Sequence, residues 1–312
     1  MRLTDTASGV EVAIATSYGN RAFEMKVHGD NVLYYPFEDA SGMTTTRSLN
    51  GIPFLGPWAN RVAGGGVLVN GKKWPLNQDS GTLRLDANGL AIHGMLWAST
   101  LWKVAGTGHD ANSAHVTSRL EFWKHPELMT NWPFAHEYEM THRLSNGVLE
   151  VSTAVMNISS ARMPVAVGFH PYFNLPGVPR DESVARIPVR SHVETDTRLV
   201  ATGELKPVDF PTQMSLKDHR FDDGFTDLKP GPDGRTVFSV EGGGKSIDVT
   251  YGPKYPVAVI FAPPGQNYIC FEPMAAVTNG INLFAEGKYP PLQWIEPGET
   301  WHESFWVSTS GI

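Results

Sequence analysis

The chain has 312 residues, of which 41% are hydrophobic, 18% charged and 11% aromatic, and its formal net charge at pH 7 is −7. This balance excludes an intrinsically disordered chain, which would combine few apolar residues with a high net charge. It also argues against a nucleic-acid partner, because binding to the phosphate backbone requires a basic stripe and none occurs. The single cysteine, Cys270, cannot close an intrachain disulfide.

Signals that would direct the chain to a membrane are not found. No apolar run approaches the roughly 18 residues of a membrane-spanning helix. The N-terminal segment carries acidic and polar side chains where a signal peptide would have an apolar stretch. We therefore expect a cytoplasmic protein without a membrane partner.

Glycine and proline interrupt the whole chain, with 31 and 23 residues respectively, so long helices are not expected. The alternation of apolar and polar residues instead predicts half-buried strands. In chain order the predicted strands are Val10–Ala15, Ala22–Val27, Val116–Phe122, Glu137–Leu144, Leu149–Val155, Ser246–Tyr251, Val257–Ala262, Tyr268–Phe271 and Ser304–Ser308.

Two Asn-Gly pairs flanked by alternating runs predict β-hairpins, because both central residues of such a turn need a positive φ. They are Asn70-Gly71 and Asn146-Gly147. Strand patterns recur along the chain without a change in composition or a repeat. The sequence therefore predicts one mainly β domain over residues 1–312, a large antiparallel sandwich.

Two glycine-rich segments come close to a phosphate-binding loop without matching it. Lys73 stands where Gly66–Lys73 would need a Ser or Thr for Mg²⁺, and a strand follows instead of a helix. Gly242–Ser246 ends in Gly-Lys-Ser, but Ser239 occupies the position of the first glycine. Both segments are interpreted as hairpin turns.

Five histidines fall close together in the sequence: His109, His115, His125, His136 and His142. Two of them, six residues apart, would share a face of a strand. Zinc sites use tighter spacing with Cys or acidic ligands, so we expect surface or half-buried structural histidines and no metal site.

Three segments carry residue types suited to chemistry. His93 stands in Ala91–Gly94, and His170 precedes proline, aromatics and an amide in Gly168–Leu175. Glu272 closes an apolar strand in Tyr268–Pro273, where an unpaired buried carboxylate would be costly. Each of the three has a structural alternative, a solvated carboxylate in the case of Glu272, and their value lies in combination.

The combination resembles the aldose 1-epimerase (mutarotase) family, along most of the chain. The matching motifs are, in order, Asn60-Arg61-Val62, Ile92-His93-Gly94, His170-Pro171-Tyr172-Phe173-Asn174-Leu175, Phe221-Asp222-Asp223-Gly224-Phe225, Phe271-Glu272-Pro273 and Ile295-Glu296-Pro297-Gly298-Glu299-Thr300. Departures from the family pattern at Pro171, Asp223-Gly224 and Met274 leave the preferred sugar open.

The resemblance implies a β-sandwich of the galactose-mutarotase type and an enzyme that interconverts the α and β anomers of a free aldose. The reaction needs one base and one acid, and the resemblance implies no cofactor. Histidine suits such a role because its ordinary pKa is close to working pH. The expected partner is a monosaccharide, bound by a monomer or homodimer.

Roles follow residue by residue from the resemblance. Glu272 would be the base on the C1 hydroxyl, and His170 the acid on the ring oxygen. His93 would act close to the anomeric carbon. The remaining candidates would bind sugar hydroxyls or stack on the ring: Asn60, Arg61, Asp222 (or its neighbour Asp223), and Trp97 or Trp132.

Three alternatives stay open at this point. The chain could be a non-catalytic sugar-binding module on the same fold, since fold does not settle function. It could act on a phosphorylated hexose, although no Arg/Lys cluster stands beside the motifs. His93, His170 and Glu272 could instead hold iron as two histidines and one carboxylate.

Overall fold

A computed structural model describes residues 1–46, 48–217 and 219–312. Within these ranges the longest α-helix has six residues, as the glycine and proline content predicted. None of the helices in the described ranges is both long and apolar enough to cross a lipid bilayer.

The strands are β1 (Arg2–Asp5), β2 (Val10–Ala15), β3 (Arg21–Val27), β4 (Asp30–Asn31), β5 (Phe54–Leu55), β6 (Arg61–Val62), β7 (Gly66–Val69), β8 (Lys72–Pro75), β9 (Ala91–Ile92), β10 (Lys103–His109), β11 (Ser113–Glu121), β12 (His136–Ser145), β13 (Val148–Asn157), β14 (Met163–Val165), β15 (Gly168–Phe169), β16 (Tyr172–Phe173), β17 (Val184–Arg186), β18 (Ser191–Thr195), β19 (Ala201–Pro207), β20 (Gln213–Ser215), β21 (Phe221–Thr226), β22 (Thr236–Gly242), β23 (Lys245–Tyr251), β24 (Val257–Ala262), β25 (Ile269–Met274), β26 (Gln293–Ile295) and β27 (Thr300–Ser310). The α-helices are α1 (Gly42–Thr46), α2 (Pro126–Met129) and α3 (Gly280–Ala285), and 3-10 turns occupy Gln78–Ser80, Phe122–Lys124 and Arg180–Glu182.

Two large antiparallel sheets form the sandwich that the sequence predicted. One has nine strands in the order β10-β11-β12-β13-β27-β23-β22-β17-β20. The other has eight, in the order β19-β18-β21-β24-β25-β15-β5, with β16 also paired to β25. Aromatic rings join the sheets: Phe169 of the smaller sheet lies 4.8 Å from Phe305 of the larger, and Phe271 lies 5.9 Å from Phe238.

Alternation in β12 places every second residue in the core, as predicted. The hairpin to β13 turns through Asn146 and Gly147, at φ values of 50° and 76°. The near-matches to a phosphate-binding loop are also hairpin turns. Asn70-Gly71 joins β7 to β8, and Gly243-Gly244 joins β22 to β23.

His136 and His142 do share one face of β12, but the expectation of surface or half-buried positions is wrong for them. Both are buried in the core, at 0% and 1% exposure. Their burial lowers the pKa of each to about 4, so both rings are held neutral.

The strand that holds Glu272 is longer than predicted. It begins at Ile269 and continues through Pro273 to Met274, so Glu272 lies inside β25 and does not close it. The alternative of a solvated carboxylate is therefore wrong, because Glu272 is only 1% exposed.

Candidate active site

A row of residues crosses the outer face of the eight-stranded sheet, the face that points away from the larger sheet. The row runs from Gly224 through Val259 and Glu272 to His170. Residues directly opposite in an antiparallel ladder project to the same face. Glu272 is opposite Val259, and Val259 is opposite Gly224. His170, between β15 and β16, continues the row past Glu272. The sheet register thus brings together motifs more than 100 residues apart.

Glu272 and His170 form a close, almost solvent-free pair. The Oε1 atom of Glu272 lies 3.4 Å from Nε2 of His170, and the two residues are 1% and 7% exposed. The His170 ring stacks parallel to Tyr172 at 4.5 Å, and the Tyr172 hydroxyl is 3.4 Å from the same nitrogen. Glu272 Oε2 and His170 Nδ1 are buried without a hydrogen-bond partner among the described residues. The described part of the chain therefore leaves one polar atom of each residue unsatisfied.

Burial sets the electrostatics of this pair. It raises the pKa of Glu272 well above its ordinary value, an effect that Asp222 reinforces and Arg61 opposes. It lowers the pKa of His170 to about 3, and the charge of Arg84 adds to that shift. Both shifts favour the neutral carboxylic acid and neutral imidazole over the ion pair.

A two-residue ladder joins the Asn60-Arg61 motif to the His93 motif. Arg61 pairs with Ile92, and the backbone N–H of His93 donates to the carbonyl of Asn60 at 2.9 Å. Asn60 and His93 both have left-handed φ values, 54° and 63°, which non-glycine residues rarely adopt and which cluster at functional sites. The His93 ring meets His170 edge-on, with centroids 5.5 Å apart.

A cleft of about 420 Å³, counting the solvent at its mouth, opens beside this row. Asn60, Arg61 and Asp222 line it, together with Gly224 and Val259 of the row itself. The cleft therefore leads from open solvent to the neighbourhood of Glu272.

The register separates the two neighbouring aspartates. Both line the cleft, but Asp222 is opposite Phe261 and so shares the face of Glu272, whereas the side chain of Asp223 projects to the other face. Asp223 Oδ1 is already bonded to Nε2 of His192 at 3.0 Å. Although the Asp222 side chain is exposed at the mouth, the surrounding walls desolvate it and raise its pKa. The register thus puts Asp222, and not Asp223, on the face that carries Glu272.

Sequence reasoning missed Asp86, which pairs with Arg61. Its Oδ2 accepts from Arg61 Nε at 2.7 Å, and its Oδ1 accepts from the backbone N–H groups of Asn88 and Leu90. Both partners are largely buried, with 15% of the Arg61 side chain and 9% of the Asp86 side chain exposed. Asn88-Gly89 signals the turn, but no motif singles out Asp86, because the sequence does not show its pairing with Arg61.

The two candidate tryptophans occupy different places. Trp132 is completely buried against Trp58 and Phe134, so its assignment to the sugar is wrong. Trp97 follows the His93 turn and is also buried, at 4% exposure. Its ring lies 5.4 Å from the guanidinium carbon of Arg84, a second residue that sequence reasoning missed.

No group of three or more His, Cys, Asp or Glu side chains in the described ranges is arranged to hold a metal ion. The set of His93, His170 and Glu272 is therefore not assembled as an iron site. Cys270 belongs to the same strand as Glu272 and is fully buried, as a small apolar residue would be.

Comparisons with known proteins identify the family and the fold. The family model described as aldose 1-epimerase matches residues 1–308. The chain belongs to the aldose 1-epimerase family. Among solved structures, a galactose mutarotase-like protein from Clostridium acetobutylicum superimposes with a TM-score of 0.85 at 22% identity, covering 98% of this chain and 94% of that one.

Two further structures show the same fold for this family member. Galactose 1-epimerase from Lactobacillus acidophilus matches with a TM-score of 0.77 at 15% identity, covering 99% of this chain and 93% of that one. The GalM/aldose epimerase homologue from C. elegans matches with a TM-score of 0.74 at 16% identity, covering 99% and 98%. The predicted galactose-mutarotase type of sandwich is confirmed.

Proposed function

We propose that this member of the family is an aldose 1-epimerase that interconverts α and β anomers of a free aldose by acid–base chemistry, with no cofactor taking part. The observation that carries the proposal is the buried pair of Glu272 and His170, 3.4 Å apart beside an open cleft. Anomerisation needs one group that accepts a proton and one that donates it, held within reach of the same ring.

In the forward direction, ionised Glu272 accepts the proton of the C1 hydroxyl while protonated His170 donates to the ring oxygen. The bond between C1 and the ring oxygen breaks, and C1 becomes an aldehyde. Rotation about the bond from C1 to C2 presents the other face. Closure then returns the proton of Glu272 to the aldehyde oxygen and the hydroxyl proton to His170.

The total number of protons on Glu272 and His170 stays constant through this cycle. The cyclic sugar requires the ion pair, and the open-chain sugar leaves neutral Glu272 and neutral His170. Because the two forms hold the same number of protons, no exchange with solvent is needed. Burial favours the neutral form of the pair, which is the form in which ring opening ends.

Sugar hydroxyls are proposed to bind to three residues of the cleft walls, Asn60, Arg61 and Asp222. An oxygen close to C1 is proposed to bind to His93. The support for these roles is their position: three line the cleft, and His93 meets His170 edge-on. Trp97, which follows the His93 turn and lies beside Arg84, is proposed to support the segment that carries His93.

The direct test follows freshly dissolved α-D-glucose and α-D-galactose by polarimetry. Wild type is compared with Glu272→Gln, which keeps shape but removes the base, and with Glu150→Gln on the nine-stranded sheet as the matched control. Wild type and control should both speed the approach to equilibrium, while Glu272→Gln loses about 10²-fold or more.

Two other results would change the proposal. An active Glu272→Gln variant would show that another group is the base. A wild type that does not exceed buffer on neutral or charged aldoses would favour the sugar-binding module.

A further inference from the structure

Among the residues that the structure describes, the His170 ring lacks the hydrogen bond that usually orients a catalytic histidine. Such a bond is made by the ring nitrogen that does not react. In His170 the nitrogen beside Glu272 is Nε2, 3.4 Å from Oε1. The other nitrogen, Nδ1, is buried, and no other described residue bonds to it. The orientation of the imidazole is therefore set by contacts with the ring itself.

Tyr172 covers one face of the imidazole. The two rings are parallel to within 1°, with centroids 4.5 Å apart. His93 and Phe261 meet the imidazole edge-on, with centroids at 5.5 and 5.9 Å. Aromatic rings in such contact keep stacked or edge-to-face arrangements. Because of this surround, the imidazole cannot turn out of its plane without pushing against Tyr172.

The hydroxyl of Tyr172 does not occupy the reacting edge of His170. Its oxygen is 3.4 Å from Nε2, as close as Glu272 Oε1. The rings are stacked in parallel planes, so this oxygen lies above the imidazole, whereas the proton or lone pair of Nε2 points along the imidazole plane. A contact at such an angle is a poor hydrogen bond. The edge of Nε2 is thus left to Glu272 and to the sugar.

The backbone holds Tyr172 firmly beside His170. The N–H of Tyr172 donates to the carbonyl of Gly51 at 2.8 Å, and its carbonyl accepts from the N–H of Tyr34 at 2.9 Å. Pro171, one of the departures from the family pattern, has a fixed φ and restricts His170 before it to an extended backbone. In extended chain, residues two apart project to the same side. The sequence His-Pro-Tyr therefore favours the stack locally.

We propose that Tyr172 is a positioning residue, whose ring holds the His170 imidazole in the plane in which Nε2 points at the ring oxygen of the sugar. The inference rests on the proposed function, in which His170 gives a proton to the ring oxygen and later takes one back. The ring must keep one plane in both its protonated and its neutral form. A contact with the face of the ring meets this demand, because it does not depend on which nitrogen carries a proton.

The test measures kcat and KM of two variants by polarimetry, on the aldose that wild type epimerises fastest. Tyr172→Phe keeps the stacked ring and loses only the hydroxyl, so it should retain at least about a third of the wild-type kcat. Tyr172→Leu fills the space without a planar face. It should lower kcat about tenfold or more and change KM by less than about threefold, because the loss lies in the orientation of the acid.

Tyr268→Leu is the matched control. Tyr268 belongs to the same group of rings, with contacts to Tyr34, Tyr172 and Phe261. Its substitution should change kcat by less than about threefold. Equal losses in Tyr268→Leu and Tyr172→Leu would overturn the inference, because they would show a general disturbance of the group. A Tyr172→Phe variant as impaired as Tyr172→Leu would also overturn it, since the hydroxyl would then be the essential part.

Proton NMR detects the stack without turnover, and also where a leucine variant does not fold. The carbon-bound protons of His170 lie over the Tyr172 ring, so its ring current should shift at least one of them upfield. Comparison with His170→Gln assigns the resonance, and Tyr172→Phe should keep the shift. An active wild type without the shift would overturn this inference and leave the proposed function intact. A wild type with the shift that epimerises no aldose would overturn the proposed function, and with it the role of Tyr172 in the reaction.

Discussion

Asp86 Oδ2 lies 2.7 Å from Arg61 Nε, so the carboxylate occupies one edge of the guanidinium. The remaining N–H groups of Arg61 are then left for the cleft that this residue lines. Asp86 is itself fixed by two backbone N–H groups. We interpret Asp86 as a positioning residue, which acts on the sugar only through Arg61.

Asp86→Asn should therefore raise KM more than it lowers kcat, with kcat/KM falling about tenfold. Asparagine keeps an oxygen for the backbone turn but loses the charge. In an Arg61→Ala background the same substitution should have little further effect, because residues that act as a unit are not additive. The control is Glu139→Gln, which breaks an exposed pair with Arg119. Additive losses at Arg61 and Asp86 would show that the carboxylate acts by another route.

Asp222 and Asp223 provide a matched pair of substitutions. Asp222→Asn should raise KM by about tenfold or more, the cost of a hydrogen bond to a charged group. Asp223→Asn should have a much smaller effect, because Asp223 faces away from the row and is bonded to His192. Steady-state kinetics of the two variants on one aldose decides the assignment. Equal effects would contradict the distinction that the register makes.

Local pattern was enough to predict the strands with clear alternation and the two Asn-Gly hairpins, whereas β10, β19, β21 and β22 were not predicted. The alternation in β12 and the Asn146-Gly147 turn depend on neighbouring residues, and both are confirmed. The same alternation put His142 among the apolar positions of its strand, yet its polarity led to the wrong expectation of partial exposure. Burial of a polar ring depends on the opposite sheet, which the local sequence does not show.

The site depends on pairings between distant segments, which periodicity cannot predict. Glu272 and His170 were placed together only by likeness to a family, and the register of β25 explains their closeness. The two adjacent aspartates could not be told apart, because the sequence does not show which strand lies beside theirs and therefore which residue faces the site. Asp86 and Arg84 lie in an irregular segment where no period applies.

Substitutions of Gly224 should affect sugar binding without affecting stability. A Cβ at this position would meet Val193 at 3.6 Å, an ordinary contact, and the backbone is not left-handed. Gly224→Ala should therefore fold at least as well as wild type, since glycine inside a strand costs about 0.5–1 kcal/mol. Gly224→Leu should also fold, but its side chain would occupy the cleft beside Val259. Gly224→Leu should therefore keep a wild-type thermal unfolding midpoint but raise KM for the sugar. A stable Gly224→Leu protein with wild-type KM would show that the sugar does not use this part of the cleft.

The buried histidines predict how stability depends on pH. His136 and His142 have pKa values of about 4 in the folded chain, against about 6.5 when unfolded. Above pH 6.5 both are neutral in either state, so they add no pH dependence. Between pH 6.5 and 4 the unfolded chain binds protons that the folded chain does not, and the free energy of unfolding falls as the pH falls.

His142→Leu should flatten that acid decline, because at pH 4 one such histidine accounts for about 3 kcal/mol. Leucine is close in size, and both ring nitrogens of His142 lack hydrogen-bond partners among the described residues, so stability at pH 8 should be equal or higher. Thermal unfolding midpoints from pH 8 to 4.5 give the comparison, with His109→Leu at the exposed end of β10 as the control. The difference between wild type and His142→Leu should grow steadily below pH 6.5. A constant difference across the range would mean that His142 already takes up its proton in the folded protein, so that the core around it admits a charge.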